Sequence, residues 1–244
     1  MIGAGWLERA PAPLRALGRR RSSSIVEHVS LGTFCHTAAA LRDAGLRRWS
    51  GPFDWIFSCP AMAAACLDDD FAALLDPAQL RSVPERELSH GAKRQCRHPD
   101  YEARYGLPIV FNHHDPASSL LDLQTLRRGV ARFRAALQQG RVTIFYLGSE
   151  RRWPEDEIEA LERALTRYPA ASRLVVLTIT PEQTERSLAI SPITDPGRLR
   201  YDVNVSTRTR SLGAAFPDPE DNAHLASALK TVASRLEGTL NGHI

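Results

Sequence analysis

The run Leu174-Val175-Val176-Leu177-Thr178-Ile179-Thr180 is the feature that most constrains this chain, because it is apolar without alternation. A strand wetted on one side alternates apolar and polar residues, so an unbroken run suits a sheet covered on both faces. Further buried strands are predicted at Ile25–Leu31, Arg141–Leu147 and Leu199–Val205. Helical periods separate them. Leu123, Leu126, Val130, Phe133 and Leu137 fall on one face of a long helix ended by Gly140. Pro154 followed by Glu155, Asp156 and Glu157 starts another, whose stripe is Ile158, Leu161 and Leu165. Asp218 to Asn222 introduces the last helix, with Leu225, Leu229, Val232 and Leu236 facing inward. Strands alternating with helices predict one α/β domain over residues 25–244, with a largely parallel sheet and helices on both faces. Two shorter helical pieces are predicted at Pro60–Leu67 and Asp69–Leu75, and a long loop or lid at Arg81–His98.

With 43% of its 244 residues hydrophobic, the chain has ample material for a core. Its 31 basic and 28 acidic residues leave a net charge of only +3, so the overall field is small and nucleic acid is not an expected partner. No run is long and apolar enough to span a bilayer. Residues 1–24, rich in Ala, Pro, Arg and Ser, are expected to form a mobile basic leader. Four cysteines without CxxC spacing, and without a secretory leader ahead of them, suggest neither a disulfide framework nor a zinc ribbon. A reducing cytoplasm fits that usage.

In α/β sheets chemistry collects at the carboxyl ends of strands. The first such end here carries Gly32-Thr33-Phe34 as a tight turn and then Cys35, which opens an Ala-rich helix that Gly45 stops. A sulfur over the unpaired N–H groups of a helix start sits where a thiolate is cheapest to form. Downstream lies an aromatic-rich segment around one carboxylate, Trp49-Ser50-Gly51-Pro52-Phe53-Asp54-Trp55-Ile56-Phe57-Ser58. Further on, a short apolar run delivers Asn112-His113-His114-Asp115. Neighbouring side chains on extended backbone face opposite ways, so His113 and His114 cannot address one point.

These words resemble a bacterial family described as papain-like cysteine peptidases of unknown function, often found beside genes for polysaccharide or natural-product assembly. The resemblance rests on Ser30-Leu31-Gly32-Thr33-Phe34-Cys35, on Gly45-Leu46-Arg47, on Pro52 to Ser58, and on Tyr105-Gly106 with His114-Asp115, in order over residues 25–180. It implies a cysteine nucleophile at Cys35 and a histidine partner at His114, and a papain-like α+β fold as the alternative architecture. Such chemistry needs a thiolate, an imidazole in reach, and a carboxylate or amide to orient the ring, for which Asp54 and Asp115 are the candidates. The expected activity is hydrolysis or transfer of an acyl group held as amide, ester or thioester. The expected partner is a small-molecule, glycan or carrier-bound substrate, with no cofactor and no metal.

Three other readings compete. An esterase-like triad could use Asp221 and His224, whose Asp-x-x-His spacing precedes the last helix. A metal could be held by His113, His114 and Asp115 with His90 or His98, although typical ligand spacing is absent. A non-catalytic module could bind sugar or carrier on Trp49, Phe53 and Trp55.

Overall fold

The computed structural model describes residues 26–138, 142–168, 172–193 and 200–241. The expected basic leader at 1–24 and the helix stop at Gly140 lie outside them. Strand β1 (Glu27–Ser30) is followed by helix α1 (Cys35–Asp43) and α2 (Pro60–Asp68). A small hairpin of β2 (Arg81–Ser82) and β3 (Cys96–Arg97) leads to α3 (Pro99–Tyr105) and the long α4 (Leu120–Gln138). Then come β4 (Thr143–Ser149), α5 (Glu155–Thr166), β5 (Ser172–Thr180), β6 (Ser187–Pro192), β7 (Arg200–Ser206) and α6 (Pro219–Asn241).

The main sheet has the order β1-β4-β5-β7-β6. The first four of these strands run parallel, and β6 pairs antiparallel with β7 at the far edge. The α/β expectation therefore holds, and the α+β alternative does not. Every residue of β4 is buried, as the unbroken apolar runs required. Alternate residues feed two cores. Ile144, Tyr146, Val175, Leu177 and Val203 pack against α1 and against Leu225, Leu229, Val232 and Leu236 of α6. Phe145, Leu147, Leu174 and Val176 turn to the other face, against Val130 and Phe133 of α4 and Ile158, Leu161 and Leu165 of α5. Phe133 is the hub there, with ring centroids 5.8 Å from Phe53, 5.3 Å from Phe71 and 5.6 Å from Phe145.

Three local expectations need correction. Residues 69–75 form turns rather than a helix, since Asp70 and Phe71 take positive φ (51° and 62°) and Asp69 caps the backbone N–H of Ala73. Strand β6, for which the sequence shows no clear element, is an edge strand whose Leu188 and Ile190 are partly buried against the core while its other residues are exposed. The 81–98 stretch is not a surface loop throughout. Cys96 and His98 are fully buried, with His98 Nε2 2.9 Å from the Ala73 carbonyl and its ring stacked 3.7 Å from Tyr101. Among the described residues no helix is long and apolar enough to cross a membrane.

Candidate active site

The chain leaves β1 through backbone that only a narrow set of contacts can hold. Gly32 has φ +81°, and a Cβ there would lie 2.6 Å from Ser58 Oγ and 2.9 Å from the Phe53 carbonyl. Thr33 follows with φ +74°, a left-handed conformation that costs a non-glycine residue roughly 1–2 kcal/mol. Ser58 supplies the constraint. Its hydroxyl donates to the Leu31 carbonyl and accepts the Thr33 backbone N–H, each at 2.8 Å. The Thr33 hydroxyl donates to the Gly148 carbonyl. Thus the last residue of the aromatic motif closes the turn made by the first motif, which explains why both occur together. Gly148 in turn lets α1 approach β4, for a Cβ there would fall 2.3 Å from Thr37 Oγ1.

This turn delivers Cys35 as the first residue of α1. Phe34 precedes it as an extended N-cap whose side chain makes no capping bond, so the first N–H groups of the helix are left for other partners. Cys35 lines a cavity of about 990 Å³ at the carboxyl ends of β1 and β4. Ser149 to Arg151 form one wall, Ser89 to Ala92 and Leu107 to Ile109 another, and Arg210 to Ala214 reach over from the end of β7. Glu150 holds that last segment, accepting from Arg210 Nη1 at 2.8 Å and from the Ser211 N–H at 3.1 Å. Arg151 stacks 3.8 Å from the Trp153 ring centroid.

Electrostatics correct the expectation of an easily formed thiolate. Cys35 is only 3% exposed, and burial pushes its thiol up to about 11. The helix-start N–H opposes this, and the nearby Asp54 charge adds to it. Loss of hydration outweighs the helix terminus. The resting sulfur is a neutral thiol.

His113 lines the same cavity as Cys35, as does His90. Burial and the neighbouring His114 lower the His113 pKa, which keeps its imidazole neutral. Asn112 Nδ2 lies 3.4 Å from His113 Nε2. His114 turns the other way and lines a second cavity, with its Nδ1 3.3 Å from Asp122 Oδ1. Asp115 is buried and occupied in capping the following turn, where it accepts the Ala117 and Ser118 N–H groups and the Ser118 hydroxyl. Asp54 is buried against Arg47 Nη1 at 2.5 Å. Burial raises its carboxyl to about 6 although Arg47 pulls the other way. Of the residues singled out in the sequence, the Cys35 cavity therefore gathers His113 and His90, while His114, Asp54 and Asp115 have other partners.

The competing readings meet similar difficulties. Asp221 accepts from Arg186, from the Arg208 and Thr209 N–H groups and from the Thr209 hydroxyl, while His224 Nε2 lies 3.1 Å from the Ser187 carbonyl. Neither lines the Cys35 cavity. Among the described residues no three His, Cys, Asp or Glu side chains converge as a metal would require. Phe53 is a core residue with no exposure, so Trp49, Phe53 and Trp55 form no open platform.

Ser58, Thr33, Glu150 and the Arg151–Trp153 stack are the parts of this site that sequence reasoning missed or left without a role. Ser58 and Thr33 had a signal, as members of the Pro52 to Ser58 and Ser30 to Cys35 motifs. The chain matches no curated protein and no solved structure. One family profile matches residues 26–174, under the description "Putative papain-like cysteine peptidase". That span holds β1, Cys35, Ser58, His113 and the whole of β4, and it covers more than half of the chain. The chain belongs to this family of papain-like cysteine peptidases.

Proposed function

We propose that the protein is a cysteine-dependent acyl hydrolase or acyltransferase with Cys35 as nucleophile and His113 as proton carrier. One observation carries this reading: Cys35, at the start of α1, opens on a cavity whose wall also holds His113. Cys35 Sγ attacks the carbonyl carbon of an amide, ester or thioester and gives up its proton to the neutral imidazole. The carbonyl oxygen becomes an oxyanion, for which the N–H groups at the helix start are the donors. Collapse forms the acyl-cysteine thioester and releases the leaving amine, alcohol or thiol with the proton from His113. Water or an acceptor then attacks the thioester and loses its proton to His113, and the C–S bond breaks as Cys35 Sγ leaves and takes that proton back.

Because the thiol rests at about 11, its ionisation is coupled to substrate binding rather than completed beforehand. The cavity's size is at the upper end for a small-molecule site, which accommodates a small acyl donor or the end of a glycan or carrier. Four free cysteines suit a reducing compartment such as the cytoplasm. The buried neutral thiol also favours a second reading, a binding module in which Cys35 only packs.

Incubation with p-nitrophenyl acetate separates the two. Mass spectrometry is expected to find one acetyl group on Cys35, lost in Cys35→Ala. His113→Gln should lower turnover by about 10²- to 10⁴-fold, while His114→Gln leaves it near normal. An unlabelled Cys35, or full turnover by Cys35→Ala, rejects the covalent mechanism. Iodoacetamide alkylation of the free protein should keep accelerating with pH to beyond 9; a plateau below that would show that burial does not govern the thiol.

A further inference from the structure

The cavity that holds His114 is distinct from the Cys35 site. It encloses about 240 Å³, and its wall includes Trp55, Phe111, His114, Asp122, Arg128 and Arg132. An antiparallel bridge between Ile56 and Phe111 lies between the two cavities, with Phe57, Asn112 and His113 on one side and Trp55 and His114 on the other. We propose that this second cavity binds a small ligand bearing a phosphate or carboxylate group, gripped by Arg128, Arg132 and His114, with its apolar part against Trp55 and Phe111.

The charges argue for an anion. Arg128 and Arg132 stand one helical turn apart on the exposed side of α4, so their guanidinium groups address the same mouth. Arg128 is bonded only to the Thr125 hydroxyl, at 2.9 Å, and Arg132 has no partner among the described residues. The acidic group in the wall, Asp122, is already committed. It is 4% exposed and accepts from the Asp115 N–H at 2.8 Å, faces His114 Nδ1 at 3.3 Å and pairs with Arg94 at 3.2 Å. Asp122 therefore fixes the His114 ring by its Nδ1 edge, and Nε2 donates to a ligand in the imidazolium form, in which both ring nitrogens carry protons. Two forked cations with an imidazole donor suit a tetrahedral or planar oxyanion, which arginine recognises through paired N–H bonds. The aromatic side wall gives the ligand's carbon part somewhere to lie.

The test is an NMR titration of the full chain that follows the His114 ring proton, with inorganic phosphate and malonate in separate arms and sodium chloride holding ionic strength constant. A saturable shift of His114 in the millimolar range or tighter is expected, weakened at least tenfold in Arg128→Gln/Arg132→Gln and partly in Arg132→Gln. Tighter binding of phosphate assigns a phosphate-bearing ligand, and tighter binding of malonate a carboxylate. The alkylation rate of Cys35 in the double variant should match the parent, so the result is independent of the chemistry proposed at Cys35. A shift that only tracks chloride, or that saturates equally in the double variant, overturns the proposal.

Discussion

Replacing Ser58 by alanine removes one oxygen atom and is expected to loosen the whole turn that presents Cys35. The residue is 2% exposed, and its hydroxyl is the partner of two buried backbone groups, the Leu31 carbonyl and the Thr33 N–H. A buried polar group stripped of its partner costs about 1–3 kcal/mol. Thr33 also loses one of the two bonds that hold its positive φ, the other running from its hydroxyl to Gly148. A destabilisation of about 3 kcal/mol follows from those penalties, allowing for partial relaxation. Urea unfolding followed by tryptophan fluorescence measures it: with a slope of roughly 1–3 kcal/mol per molar, the midpoint should fall by about 1–3 M. Ser187→Ala is the control, because its exposed hydroxyl meets only Ser206 Oγ, at 3.0 Å, and it should stay within about 0.5 kcal/mol of the parent. A loss below about 1 kcal/mol in Ser58→Ala, with the Cys35 alkylation rate unaltered, would refute the argument that this hydroxyl holds the turn.

Gly148→Ala should destabilise by about 1–3 kcal/mol, since the added methyl meets Thr37 Oγ1 at 2.3 Å; combining it with Thr37→Ala should recover most of the loss, and additive losses in a double-mutant cycle would show that the clash is not the cause. Asp54 sets a pH dependence. Its folded carboxyl is raised to about 6, so between about pH 4 and 6 the native state keeps a proton that the unfolded chain has released, and stability from this group falls as pH rises through that window. Denaturation midpoints taken from pH 4 to 7 should decline in the parent and flatten in Asp54→Asn; an equal slope in both would sink the assignment.

The periodic segments were legible because burial alone dictates them. Leu225, Leu229, Val232 and Leu236 of α6, and Ile158, Leu161 and Leu165 of α5, all face the cores that their spacing implies. The unbroken run in β5 correctly implied helices on both faces. Edge strand β6 was harder to read because it is short and only Leu188 and Ile190 of its six residues are partly buried against the core, the rest being exposed.

Sequence by itself determined the sheet's character, the Gly32 turn and the placement of Cys35 at a helix start, because each follows from local sterics, backbone geometry or apolar period. It also determined that His113 and His114 must point apart. Which imidazole reaches the Cys35 cavity, and that Ser58 locks the turn from 25 residues away, were settled by tertiary structure alone. So was the protonation of the thiol, since the competition between a helix terminus and lost hydration depends on how deeply the packed chain buries the sulfur.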